Sequence, residues 1–171
     1  MAQIVNDFTL NIATANGTGS QSANLILLHS MFEMGVPVSG KNLFPSNISG
    51  LPTWFIIRAS DAGYQAPGDK THIQVVMNKD TWLADVEKAE PGTIIIHNMD
   101  VKLPVERDDC VVLGIPMTKM ARAINPKLAR MIANMYYVGG LAEVLGIDAN
   151  ALRAALTQQF KGKEKAIELN T

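Results

Sequence analysis

The run FTLNIATANGTGSQSANLILLHSMFEMG, residues 8–35, decides the fold. Its first seven residues, 8–14, alternate apolar and polar side chains and include β-favouring Phe, Thr and Ile, which predicts a strand. Asn16-Gly17-Thr18-Gly19-Ser20 interrupts that pattern with turn-forming residues. Residues 21–34 then carry Leu27, Leu28, Met31 and Met34 at helical spacing, with Gly35 placed as a C-terminal stop. Strand, glycine turn and helix together form the opening unit of an α/β fold.

The same alternation continues downstream. Residues 36–44 read as a second strand that leads into a loop rich in Pro, Ser and Asn. WFIIRAS (54–60) and IQVVM (73–77) read as two more strands, separated by a loop with Gly63, Pro67 and Gly68. A helix is expected over 80–89 and a strand over 93–97, while 101–109 is mixed. Residues 111–115 are an unbroken apolar run, read as a buried strand closed by Pro116.

Helices accumulate after that point. Asn125-Pro126 has the form of an N-cap followed by proline at the first helical position. Leu128, Met131, Ile132, Met135 and Leu145 are expected to form one stripe, Gly146 to end that helix, and Asp148 to cap the next. The expected architecture is a single α/β domain, with a mostly parallel central sheet flanked by helices and a helix-rich C-terminal part. Residues 1–160 form that domain; KGKEKAIELNT (161–171) reads as a charged tail or as a linker to a following domain.

Composition narrows the function classes. A chain of 171 residues with 47% hydrophobic content is long enough to bury a core without staples. A formal net charge of −1 argues against a polybasic nucleic-acid or membrane-surface protein. One cysteine leaves no disulfide framework and no cysteine-only metal or cluster site. No basic, apolar leader opens the sequence and no apolar run approaches the ~20 residues that span a bilayer. A cytoplasmic location is expected.

Charge is unevenly spread. Only Glu33 and Lys41 are charged between Phe8 and Ile57, although 18% of the whole chain is charged. Neutral Asn, Ser, Thr and Gln stand there instead. Interface cores lose charge in this way, so the first third reads as covered by other protein or as lining a shared ligand site. A buried central strand with its helix would produce the same deficit.

Two segments are candidate ligand contacts. Gly17, Thr18, Gly19, Ser20 and Gln21 join a strand to a helix, where backbone N–H groups at a helix N-terminus suit a phosphate or carboxylate. A dinucleotide fingerprint fails because Ser22 stands in place of its third glycine and no acidic ribose ligand lies near residue 40. A tight turn with no ligand is the alternative. Lys41, Asn42, Ser46 and Asn47 follow the second strand. If that strand neighbours the first, Lys41 is the one cation of the charge-poor third available to a phosphate; a solvated lysine is the alternative. His29, His72 and His97 share no metal-ligand spacing, and Cys110, preceded by two aspartates, reads as an inert thiol with a raised pKa. No complete catalytic constellation is present.

The words GTGSQSAN (17–24), MGVPVSGKNLFPSNISGLPTW (34–54) and FIIRAS (55–60) resemble the gamma domain of 2-oxoacid:ferredoxin oxidoreductases, in the 2-oxoglutarate-type branch with gamma fused ahead of alpha. The family's G-x-G-G-Q-G is kept at Gly17, Gly19 and Gln21, with Ser20 and Ser22 replacing glycines. Its E-x-R-G-G falls on Asn47-Ile48-Ser49-Gly50-Leu51, where both charged members are neutral together. Joint loss of an acid and a base avoids leaving one buried charge alone.

The resemblance implies one component of an enzyme that converts a 2-oxoacid, coenzyme A and oxidised ferredoxin to acyl-CoA, CO2 and reduced ferredoxin, or the reverse. It implies coenzyme A contacts at the two segments, and thiamine diphosphate and iron–sulfur clusters held by alpha and beta partner components. Ferredoxin would be met indirectly, with no nucleic acid and no membrane. A standalone coenzyme A- or nucleotide-binding regulatory module and a purely structural assembly subunit are the rival readings.

Overall fold

A computed structural model describes residues 6–45 and 48–170. Six strands form one sheet: β1 (Asp7–Ala15), β2 (Val38–Leu43), β3 (Pro52–Ser60), β4 (Ile73–Val76), β5 (Ile94–Asn98) and β6 (Val111–Ile115). Their order across the sheet is β2-β3-β1-β4-β5-β6. β1, β4, β5 and β6 run parallel. β3 is antiparallel to both β1 and β2, and its register with β1 runs from Asp7 opposite Ser60 to Ala15 opposite Pro52.

Six α-helices are found among the described residues: α1 (Ser20–Glu33), α2 (Trp82–Glu87), α3 (Met117–Ile124), α4 (Ala129–Leu145), α5 (Ala149–Gln159) and α6 (Glu164–Glu168). The strands sort them onto two faces by simple alternation. Val75 and Ile96 point into the larger core with Ile26 and Leu27 of α1, Ala121 of α3, Ile132 and Leu141 of α4, and Leu156 of α5. Val76 and Ile95 point the other way, onto Trp82 and Val86 of α2. Each fully buried Leu, Ile or Val side chain contributes roughly 1.5–3 kcal/mol. The α/β architecture expected from residues 8–35 is the one observed.

The expected cap of α5 is present. Asp148 accepts from the N–H groups of Asn150 and Ala151 at 2.8 and 3.1 Å, capping α5. Asn125 is not the expected N-cap of α4, which begins at Ala129 after Leu128 with no side-chain cap. Asn125 instead accepts from Lys127 and Leu128 N–H and fixes a turn over 125–128 that precedes the helix. Gly146 ends α4 in the left-handed conformation at φ 64°. Beyond α5, Ile167 of α6 is partly buried against the larger core.

Two further sequence expectations need correction. β6 is an edge strand, not a buried one: among the described residues it pairs only with β5, and Val111 is 53% exposed. An apolar run alone does not distinguish a central strand from an edge that another surface covers. The expected stripe of Leu128, Met131, Ile132, Met135 and Leu145 holds in part: Ile132 is buried and Met135 and Leu145 pack against the larger core, while Leu128 and Met131 do not. Ala129, Ile132, Ala133, Tyr137 and Leu141 are buried, whereas Met131 is 55% exposed and Leu128 is also on the surface. α4 is apolar on nearly every side, so its pattern selects no single face. No helix among the described residues is long and apolar enough to cross a membrane.

Candidate functional site

The parallel strands bring their carboxyl ends to one edge, and there the first β–α loop closes on itself. Gly17 and Gly19 take left-handed φ values of 77° and 83°, a region that side chains with a Cβ rarely enter. A Cβ on Gly17 would lie 2.5 Å from Ser49 Oγ, so residues 48–51 sit directly on this glycine. Two backbone bonds of 2.8 Å, Asn16 N–H to Leu51 O and Gly50 N–H to Asn16 O, hold that contact. The hydroxyls are used internally: Thr18 Oγ1 donates to Ala15 O at 2.7 Å, and Thr14 Oγ1 donates to Ser20 Oγ at 2.9 Å. Asn134 of α4 donates to Thr18 O at 2.9 Å from the other side.

Among the described residues, the second segment reaches the first through Asn42 and Gln21. Asn42 Nδ2 donates to Gln21 Oε1 at 2.8 Å, and Asn42 Oδ1 accepts from Thr53 Oγ1 at 3.1 Å. The assumption that strands one and two are neighbours does not hold, because β3 lies between β1 and β2. Asn42 faces α1, as does Gly40, whose Cβ would meet Leu28. Lys41 therefore projects from the opposite face of the strand and is solvent-exposed. Ser46 and Asn47 lie outside the described residues.

A cleft of about 830 Å³ opens at the ends of β1, β4 and β5. Thr14 and Ala15, Met77 and Asn78, and Asn98 form its strand-end wall, with Thr18 from the glycine loop and Gly50 from the segment packed on it beside them. Asn78 Nδ2 donates to Thr14 O at 3.2 Å and its Oδ1 accepts from Asp80 N–H at 3.0 Å. Asn98 has the equivalent role at the end of β5: Nδ2 donates to Thr118 Oγ1 at 2.8 Å and Oδ1 accepts from Asp100 N–H at 3.2 Å. β1 leads into α1 on one face and β4 into α2 on the other. The cleft thus sits where the winding direction switches, the place at which open α/β sheets bind ligands.

Four cations line this cleft, Lys79, Arg122, Lys127 and Arg130, against the single carboxylate of Asp80. Sequence reasoning missed them because they come from three separate segments with no linear motif. The readable signal was the concentration of Lys and Arg in residues 119–130, beside the turn that enters α4.

A family model described as "Pyruvate ferredoxin/flavodoxin oxidoreductase" matches residues 9–171. The chain belongs to this family. Within the pyruvate ferredoxin/flavodoxin oxidoreductase family, the alpha subunit of 2-oxoacid:ferredoxin oxidoreductase 2 from Aeropyrum pernix is 21% identical, the match covering 96% of this chain and 32% of that protein. The chain spans about a third of the length of this curated relative.

Among solved structures, a 2-oxoglutarate:ferredoxin oxidoreductase from Magnetococcus marinus, with 2-oxoglutarate, coenzyme A and succinyl-CoA bound, superposes at a TM-score of 0.86 and 24% identity. The match covers 98% of this chain and 29% of that one. The gamma subunit of a keto/oxoacid ferredoxin oxidoreductase from Geobacter sulfurreducens superposes at 0.73 with 15% identity, covering 95% and 91% of the two chains. The PORC subunit of pyruvate oxidoreductase from Thermotoga maritima does so at 0.72 and 21% identity, covering 96% and 91%. These likenesses establish the shared fold.

Iron–sulfur clusters do not fit this member of the family. Its one cysteine, Cys110, stands alone, and no group of three or more His, Cys, Asp or Glu gathers among the described residues. Burial pushes the Cys110 thiol up, and Asp109 adds to the shift against the opposing pull of Arg107. A thiol shifted that way is a poor nucleophile at neutral pH.

Proposed function

We propose that this chain is the gamma component of a 2-oxoacid:ferredoxin oxidoreductase and contributes coenzyme A contacts and subunit-contact surface rather than the reacting groups. The complex would convert 2-oxoacid, coenzyme A and oxidised ferredoxin to acyl-CoA, CO2 and reduced ferredoxin, or run in reverse, in the cytoplasm. Thiamine diphosphate and the iron–sulfur clusters belong to its alpha and beta partners, with which ferredoxin exchanges electrons. The 2-oxoglutarate-type branch, with gamma ahead of alpha, is the reading for this sequence.

The observation that carries this reading is the cleft at the strand ends, which the glycine loop enters through Thr18, in a chain whose family match spans residues 9–171. The cleft has the volume of a nucleotide-sized ligand site. The coenzyme A-bound Magnetococcus structure, which shares the fold, supports the ligand class.

The charge-poor third supports the subunit-contact role. Phe32, Met34, Leu43, Phe44, Ile48 and Leu51 are all exposed there, with Phe32 at 67%. Several exposed large apolar groups in a segment nearly without charge are ordinary where partners cover a surface.

Titration calorimetry of the assembled complex tests the reading. Coenzyme A should bind the complex that contains this chain and should lose affinity when the chain is omitted. Equal affinity without the chain would leave a purely structural subunit. Tight binding by the chain alone, with no association with partner components, would favour a standalone coenzyme A-binding module. Lys41→Ala in the same assay decides whether that exposed lysine contributes to the site.

A further inference from the structure

We propose that Arg122, Lys127 and Arg130, assisted by Lys79, form the polyphosphate-binding wall of the cleft and receive the phosphate groups of a nucleotide-type ligand. This rests on the coenzyme A reading above and assigns the anion-binding role to these residues rather than to Lys41.

The first ground is electrostatic anomaly. The positive end of a helix dipole lies at its N-terminus, where acidic residues are favoured and basic ones repelled. The first turn of α4 contains no acidic residue. It carries Arg130 instead, with Lys127 immediately before the helix begins. Arg122 closes α3 only a few residues earlier, on the same cleft. Three like charges gathered around one positive helix end repel one another, so the arrangement is self-consistent when an anion is present to neutralise it.

The second ground is that these side chains are uncommitted. The ion pairs among the described residues are Arg58 with Asp7, Lys79 with Asp80, and Arg107 with Asp109. The Lys79–Asp80 pair is long, 3.9 Å, and exposed. Arg122, Lys127 and Arg130 enter none of them. Arg107, by contrast, is spent on Asp109 and on the carbonyls of Val86 and Ala89.

The third ground is shape. The four cations line one concavity instead of spreading over a convex patch, and apart from Asp80 the remaining polar lining is neutral Asn and Thr already fixed by internal hydrogen bonds. Guanidinium groups grip phosphate oxygens in a bidentate fork. A nucleotide with several phosphates matches four cations and one carboxylate. Such a cleft at a strand-end switch point fits a small polyanion better than a flat acidic protein surface.

The test compares the complex containing wild-type chain with one containing Arg122→Gln/Arg130→Gln, and with Lys88→Gln, an exposed residue just after α2, as control for loss of positive charge. The double variant should weaken coenzyme A binding about tenfold or more, and the salt dependence of binding should flatten; the control should leave both unchanged. Unchanged coenzyme A affinity in the double variant overturns the proposal. Unchanged affinity with impaired ferredoxin-dependent turnover also overturns it, assigning the cations to an acidic protein partner. If the wild-type complex binds no coenzyme A, the functional reading fails separately, and tripolyphosphate becomes the probe on the chain itself. Tripolyphosphate binding that is lost in the double variant then supports the anion wall, and no binding overturns it.

Discussion

Asn134 on α4 donates from Nδ2 to the carbonyl oxygen of Thr18 at 2.9 Å, binding the glycine loop to a helix that begins more than a hundred residues later. Asn134 is buried, so this bond has little competition from water. Asn134→Ala removes the donor and should lower stability by about 1–2 kcal/mol. Chemical denaturation measures the loss, and amide exchange at Gly19, Ser20 and Gln21 should accelerate more than exchange in β4. Uniform acceleration everywhere would show that the bond does not act locally.

A second long-range bond joins α4 to α1. Tyr137 Oη donates to Asn24 Oδ1 at 2.8 Å, both residues being buried, and burial drives the phenol pKa far upward. Tyr137→Phe strands a buried acceptor and should cost about 1–2 kcal/mol. Adding Asn24→Leu removes the stranded group, so the double variant should lose less than the sum of the single variants. Strict additivity in denaturant titrations would contradict the coupling.

Gly17 and Gly35 share a φ of 77° but differ in their surroundings. A Cβ at Gly35 meets nothing within 4 Å, whereas at Gly17 it meets Ser49 Oγ at 2.5 Å and Ser49 Cβ at 3.3 Å. Gly35→Ala should cost only the left-handed conformation, about 1–2 kcal/mol. Gly17→Ala should cost more and loosen residues 48–51. Ser49→Gly in the Gly17→Ala background should return a fraction of the difference, as read by thermal denaturation.

His72 makes stability pH-dependent. Its Nδ1 accepts from Thr9 N–H at 3.1 Å, which requires that nitrogen to be unprotonated. Burial lowers its pKa below 6.5, and Lys70 and Arg58 lower it further against weaker opposition from Asp7 and Glu90. Burial also lowers that of His97. The unfolded chain therefore binds more protons, and stability present above pH 6.5 should fall as pH drops through the window beneath it. Melting temperature should decrease between about pH 7 and 5.5, with a shallower decline in His72→Gln. A melting temperature that rises on acidification over that interval would reverse the sign.

The regions of this fold legible in the sequence are those where periodicity is unambiguous. Alternation over residues 8–14 marked β1, paired left-handed glycines marked the loop, and Asp148 marked the start of α5. β6 was misread because VVLGI is apolar on both faces although it lies at the sheet edge. In α4, Ile132, Met135 and Leu145 were placed on the core side correctly, but Leu128 and Met131 were not, because they are as apolar as the buried positions and hydrophobicity alone does not orient them. The glycine-loop half of the cleft was visible as a word, GTGSQ. The cationic half was not, since Lys79, Arg122, Lys127 and Arg130 meet only after β1, β4 and β5 bring their ends together. Nor does order along the chain reveal that β3 inserts between β1 and β2, which separates Lys41 from the loop.

A non-catalytic gamma component is tested most sharply by 2-oxoacid- and coenzyme A-dependent reduction of ferredoxin. The rate is measured with partner components alone, with this chain alone, and with all of them together. No turnover is expected from this chain alone, and full coenzyme A-dependent turnover is expected only in the complete mixture. Turnover by the isolated chain, or an undiminished coenzyme A-dependent rate in its absence, would contradict that role.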